Sequence, residues 1–250
     1  MAFPNATSQP LHFEAQKRLR EAPSLELVND QSSSLRKMAT EADLRATQTQ
    51  SLAVFWQELA GGQFRVVDCY FSEHRCYVVT EATGGEAQPV ARSAIRVLEA
   101  VLTHGAQKVV AIDLEMTPST VASKTRVALQ AMGVGCTAMR IHPLLVLAAL
   151  EGGRMDPSVC GSLSFVAHLG RRLRVVSVAR ADRRLAESLP RAEFHVARLL
   201  FEGVSQARIA HTRGTSQRTV ANQLASVFRR LKVSGRGEFL LFLLAQRSSK

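Results

Sequence analysis

The feature that most constrains this chain is that it repeats itself. Without a gap, residues 91–134 align with residues 190–233 at a constant offset of 99: Arg92 meets Arg191, Val97 meets Val196, Gln107 meets Gln206 and Ala111 meets Ala210. Thr120, Val121 and Ala122 meet Thr219, Val220 and Ala221, and Val134 meets Val233. Apolar positions mostly face apolar ones, as a tandem duplication predicts. Upstream, "FRVVDCYFSEHRCYVVTEA" (64–82) and "LSFVAHLGRRLRVVSVARA" (163–181) each read as two short strands around a polar turn. There Arg75, Val78 and Val79 match Arg172, Val175 and Val176 at an offset of 97. The joins "TGGEAQP" and "LEGGRMDPSVCGS" have the glycine and proline content of loops.

Before the repeat, residues 1–32 hold Pro4, Pro10, Pro23 and the polar run "NDQSSS", which suits a tail with one short helix. From Leu35, the positions Met38, Ala42, Leu52, Trp56 and Leu59 keep a three-and-four spacing interrupted by Arg45 and Thr49. That spacing fits either a dimerising signalling helix or a helix packed on its own hairpin.

The net charge of +11 is informative once divided along the chain. Residues 1–50 carry 6 basic and 6 acidic side chains, residues 51–150 carry 8 and 8, and residues 151–250 carry 18 and 7. An excess confined to one segment is the footprint of a polyanion-binding unit, with duplex nucleic acid the first candidate and an anionic membrane surface a rival.

In that segment, "RAEFHVARLLFEG" sets Phe194, Val196, Ala197, Leu200 and Phe201 on one side of a helix ended by Gly203. Ser205 is placed to cap the short helix "QARIAHT", a turn follows through Gly214 and Thr215, and Ser216 is placed to cap a third helix. The third helix would bury Val220, Leu224, Val227, Phe228 and Leu231, and present Arg218, Asn222, Ala225 and Arg229 outwards with Gln223 beside them. Two helices joined by a tight turn, the second with a basic and amide outer face, form a helix-turn-helix pattern. Such a face suits the major groove, where Asn or Gln can read adenine and Arg can read guanine.

At these residues the chain resembles the LuxR-type (GerE-like) DNA-binding domain of bacterial transcription regulators. "RAEFHVARLLFEGVSQARIA", "SQRTVANQLASVFRRLKV" and "RGEFL" match that family in order and spacing over roughly residues 189–246. The resemblance implies four helices, the third in the major groove and the fourth, "RGEFLLFLLAQ", used for dimerisation through Phe239, Leu240, Phe242 and Leu243. It implies phosphate contacts from Gln206, Arg208, Ser216, Thr219, Arg229 and Lys232, and base-edge contacts from Ala221, Asn222 and Gln223. Departures are local. Arg213 and Thr215 replace two buried aliphatic residues, Lys232 replaces a glycine, Ala221 a frequent lysine and Gln223 a frequent histidine.

The first copy keeps Leu114 and Met116 at the turn and also Gly133, but its outer face is Ser119, Ala122, Ser123, Arg126 and Gln130. Its segment has no net charge, so it is expected to be a structural or dimerising pseudo-module rather than a second DNA reader.

Enzyme signals are poor. Asp113 and Glu115 lack a partner base, the histidines His142, His168, His195 and His211 form no ligand pair, and Cys69, Cys76, Cys136 and Cys160 fit reduced core thiols. No catalysis, cofactor or metal is expected. The apolar runs at 144–150 and 239–245 are too short to span a bilayer, and the start lacks a signal-peptide pattern, so a cytoplasmic protein is expected.

The expected fold is mainly α with small β-hairpins, arranged as tandem hairpin plus helix-turn-helix units. The segments are an N-terminal tail and helix (1–50), a hairpin with a degenerate unit (51–150) and a hairpin with a DNA-binding unit (151–250). The expected function is a homodimeric regulator of transcription that binds double-stranded DNA. The alternative is an interaction module that pairs with another regulator or with RNA polymerase and no longer reads DNA.

Overall fold

The computed structural model describes residues 25–85, 89–104, 107–135, 141–154, 159–180 and 182–244. The proline-rich start and Cys136 lie outside the described residues. The chain divides into two compact units, Met1–Met38 and Ala39–Lys250. In the first, the described residues belong to helix α1 (Leu25–Leu44). Segments 51–150 and 151–250 lie together in the second.

The three-and-four spacing that runs on past Leu44 does not continue as one helix. Strand β1 (Gln48–Ser51) breaks it, and a new helix α2 (Leu52–Ala60) buries Leu52, Phe55, Trp56 and Leu59. Arg45 to Ser51 offers no apolar side chain to hold a helix face, and the Thr-rich "TQTQ" suits an edge strand.

The two hairpins form as their sequences predict: β2 (Phe64–Phe71) with β3 (Arg75–Ala82), and β4 (Cys160–His168) with β5 (Arg171–Ala179). They are not separate small hairpins, however. β3 pairs antiparallel with β5, giving one five-stranded sheet in the order β1-β4-β5-β3-β2. The fold is therefore mixed α/β rather than mainly α. The physical reason lies in the central strands, where "CYVVT" and "LRVVSV" are buried on both faces instead of alternating. A strand covered on both faces must also have its backbone paired on both edges, because water cannot reach the free amides. The join is centred where Val78 faces Val176 and Val79 faces Val175.

On one face, Cys76, Val78, Val176 and Val178 enter the main core with helices α3 (Arg92–His104) and α6 (Pro143–Gly152). Helix α6 is buried at almost every position, as a helix apolar on all sides must be. Arg174, also on this face, is 5% exposed, with its guanidinium carbon 3.6 Å from the Phe64 ring centroid and its Nη1 2.6 Å from a Glu58 carboxylate oxygen.

On the opposite face, Asp43 at the end of α1 pairs with Arg75 at 2.8 Å and accepts from the Ser177 hydroxyl at 2.7 Å. Thr40 reaches the Tyr70 hydroxyl at 3.1 Å, and Tyr70 stacks on Tyr77. Burial pushes the Tyr70 phenol up to about 12, so it stays a neutral hydrogen-bonding group. Among the described residues, no helix is long and apolar enough to cross a membrane.

His142, at the start of α6, is stacked on Phe71 and donates from Nε2 to the Tyr70 carbonyl at 3.2 Å. Burial pushes its pKa down from 6.5 to about 4. The unfolded chain therefore takes up this proton first as pH falls. Stability present above pH 6.5 is expected to drop by about 3 kcal/mol by pH 4 from this group alone. Urea midpoints measured across that window should show the slope, and His142→Gln, which cannot titrate, should flatten it.

Candidate nucleic-acid interface

After the sheet come α7 (Asp182–Ser188), α8 (Arg191–Phe201), α9 (Gln206–Thr212), α10 (Gln217–Leu231) and α11 (Arg236–Leu244). Val196, Ile209, Ala210, Val220 and Leu224 form a small core that holds α8, α9 and α10 together. Both expected caps are present: the Ser205 hydroxyl accepts from the Arg208 amide at 3.3 Å, and that of Ser216 from the Thr219 amide at 3.0 Å. The turn between α9 and α10 passes through Gly214 at φ 59°, a left-handed conformation that glycine adopts without a Cβ clash.

Of the residues singled out for DNA contact, Gln206, Arg208, Ser216, Arg218, Thr219, Ala221, Asn222, Arg229 and Lys232 are all exposed. Their cations are also uncommitted, since no ion pair is made by Arg208, Arg218, Arg229 or Lys232 among the described residues. The nearby carboxylates are engaged elsewhere. Glu193 holds Arg230 at 3.1 Å and accepts from Ser226 at 2.9 Å, whereas Glu202 holds Arg180 at 3.3 Å and Arg198 at 3.4 Å. Glu238 accepts from the Ser234 amide at 2.6 Å, which holds its carboxyl below the usual carboxylate range. Four free cations on one capped helix pair therefore present a positive surface that nothing in the same segment neutralises.

Gln223 departs from its expected role. It is half-buried, and its amide oxygen accepts from Arg213 Nη1 at 2.7 Å, so that acceptor is not available to a base edge. This pair also explains how a guanidinium is tolerated at a turn position. Arg213 lays its head across to α10 instead of entering the core, and the turn keeps its Thr215-to-Ala210 backbone bond at 3.0 Å. Gln217, at the first position of α10, is exposed and was not singled out by the sequence. Its place one residue after the Ser216 cap was the available signal, because the first turn of a recognition helix lies nearest the bases.

The dimerisation residues are corrected outright. Phe239, Leu240 and Leu243 are 0%, 0% and 2% exposed within one chain, and Phe242 is half-buried. They pack in the main core, where α11 meets α6, α3 and α7. A run of apolar residues broader than one helical stripe is buried intramolecularly and is not left as a surface patch.

The first segment repeats the same local geometry in α4 (Gln107–Asp113) and α5 (Pro118–Ala131). Thr117 caps α5 by accepting from the Thr120 amide at 3.2 Å. The turn bonds Leu114 to Val110, Glu115 to Ile112 and Met116 to Ala111 stand 99 residues before Arg213 to Ile209, Gly214 to His211 and Thr215 to Ala210. The left-handed residues match as well, Glu115 with Gly214 and Gly133 with Lys232.

Chemically the two helix pairs differ. At the positions corresponding to Arg208, Arg218, Arg229 and Lys232 stand Val109, Ser119, Gln130 and Gly133. The outer face of α5, with Ser119, Ala122, Ser123, Arg126 and Gln130, lines an open cavity of about 580 Å³ together with Gln107 and Gly135.

Among the described residues, no group of three His, Cys, Asp or Glu side chains could hold a metal ion. Cys69, Cys76 and Cys160 are free thiols, but only Cys76 is buried; Cys69 is half-buried and Cys160 exposed, so the core-thiol reading holds for one of the three. The chain matches no protein-family profile, no curated protein and no solved structure.

Proposed function

We propose that residues 191–244 are the DNA-binding helix-turn-helix of a transcription regulator. Phosphates dock on Arg208, Arg218, Arg229 and Lys232, with Gln206, Ser216 and Thr219 alongside, and α10 enters the major groove. There Arg218 and Asn222 face base edges beside the small Ala221, and no bond is made or broken. The observation that carries this reading is the set of four exposed, unpaired cations on a capped helix pair, none of which has a cationic counterpart 99 residues earlier. A charge that merely kept the protein soluble would have no reason to cluster on one helix pair. The size of an α-helix and the donor and acceptor pattern of Arg and Asn fit the major groove.

The resemblance of residues 189–246 to LuxR-type domains supports the same reading, and membership of that family is part of the proposal. So is the tandem origin of the two hairpin plus helix-turn-helix segments. It is supported by the matched caps, turn bonds and left-handed residues at one constant offset. A cytoplasmic location follows from the role.

The alternative, a module that pairs with RNA polymerase or another regulator, is favoured at one place only. In the first segment Val109 and Ile112 are 44% and 77% exposed, where the second segment has Arg208 and His211. That observation bears on the first helix-turn-helix and leaves the DNA reading of the second intact.

Titrating the full chain into duplex DNA at several salt concentrations tests the proposal. Binding should weaken steeply with salt. Asn222→Ala should erase a preference of about 1–3 kcal/mol at one base pair without changing the salt slope. No association at low salt would sink the proposal, and binding indifferent to sequence would leave only a general polyanion surface.

A further inference from the structure

The two segments meet through corresponding elements at two independent places. In the sheet, β3 meets β5, and the offset of 97 makes Val175 the counterpart of Val78 and Val176 that of Val79. The observed register pairs Val78 with Val176 and Val79 with Val175, so the join is symmetric about the point between them. In the helical layer, α6 and α11 are each the helix that follows their segment's third helix, and they pack against one another. Their approach is close: a Cβ added at Gly237 in α11 would lie 3.6 Å from Leu150 of α6 and 3.5 Å from the Thr103 carbonyl of α3. Contacts of like with like about a common point are the mark of a two-fold dimer, and here both are made inside one chain.

We infer that the protein is its own pseudo-dimer and takes duplex DNA one chain at a time, on a single asymmetric half-site. This rests on the DNA reading proposed above. A homodimer needs two identical readers to match an inverted repeat. In this chain the partner of α10 is α5, whose outer face carries Arg126 as its one cation and has Val109, Ser119, Gln130 and Gly133 at the four positions that matter. The surface through which a second copy would dock, Phe239, Leu240 and Leu243, is already filled by α6 and α3.

The test is light scattering on the full chain, alone and with duplexes selected by the protein from a random pool. Alone, it should have the mass of one chain, 27.3 kDa, and each bound duplex should gain that mass once. The selected sequences should share one motif with no inverted repeat. A two-chain mass, free or on DNA, or a selected palindrome that loads two chains together, would overturn the inference while leaving the DNA reading standing. A one-chain mass with no duplex bound at low salt would instead overturn the DNA reading, and the half-site with it.

Discussion

Reversing Arg218 and Arg229 together to Glu is expected to lower affinity for duplex DNA by on the order of 10³-fold near 0.1 M salt. Each reversal removes a cation from the phosphate path and adds an anion to it, so the pair changes the local charge by four units. Counterion release then predicts a salt slope shallower by roughly 3.6, or about 0.9 per unit of charge. The site should be this sensitive because neither guanidinium is held by a carboxylate among the described residues, so neither substitution breaks an internal bond. Folding should consequently be unaffected. The control is Arg96→Glu with Arg126→Glu in the first segment, where both side chains are exposed. It makes the same change in net charge, and a loss of less than about 10-fold would show that position matters more than total charge. Binding curves across a salt series, with both double variants side by side, check this. Equal losses would mean that the protein is drawn to DNA by its overall field alone.

Phe239→Ala is expected to destabilise the fold by about 3–5 kcal/mol, the cost of emptying a fully buried aromatic site. The ring is 0% exposed and lies 5.9 Å from the Phe228 ring of α10, in the same core as α6. The loss should appear as a lower urea midpoint with an unchanged solution mass, and the melting temperature should not depend on protein concentration. Were α11 a dimer surface instead, the variant would dissociate a two-chain species and its melting would shift with concentration. Phe242→Ala, at a half-buried position, should cost less than half as much as Phe239→Ala. DNA affinity of the folded fraction should be preserved in both, because the α8–α9–α10 core is a separate cluster built on Val196, Ile209 and Val220.

The local features of the candidate interface were legible because they depend on neighbours a few residues apart. Ser205, Ser216 and Gly214 act on backbone groups within three residues of themselves, and the burial of Val220, Leu224, Val227 and Leu231 follows from helical spacing. Gln223 was misplaced because its position on the flank of α10 leaves it within reach of Arg213, ten residues away and on another element. Helical period alone cannot register that contact. β1 was missed for a similar reason. Four polar residues become a strand only because β4 offers them an edge, pairing Gln48 with Leu163 and Ser51 with Cys160.

By itself, then, the amino-acid sequence determined the repeat, the hairpins, the caps and the gathering of positive charge in the last hundred residues, all properties of short windows or of the chain compared with itself. Only the tertiary structure decided that the hairpins share one sheet and that α11 is covered by α6 and α3 within the same chain. An apolar face must leave water, but its composition does not say which surface will cover it. The same Phe239 and Leu240 would serve a second copy or the chain's own core equally well. What selects the core is proximity within one molecule, because a surface joined by the backbone is present at a far higher effective concentration than a separate chain.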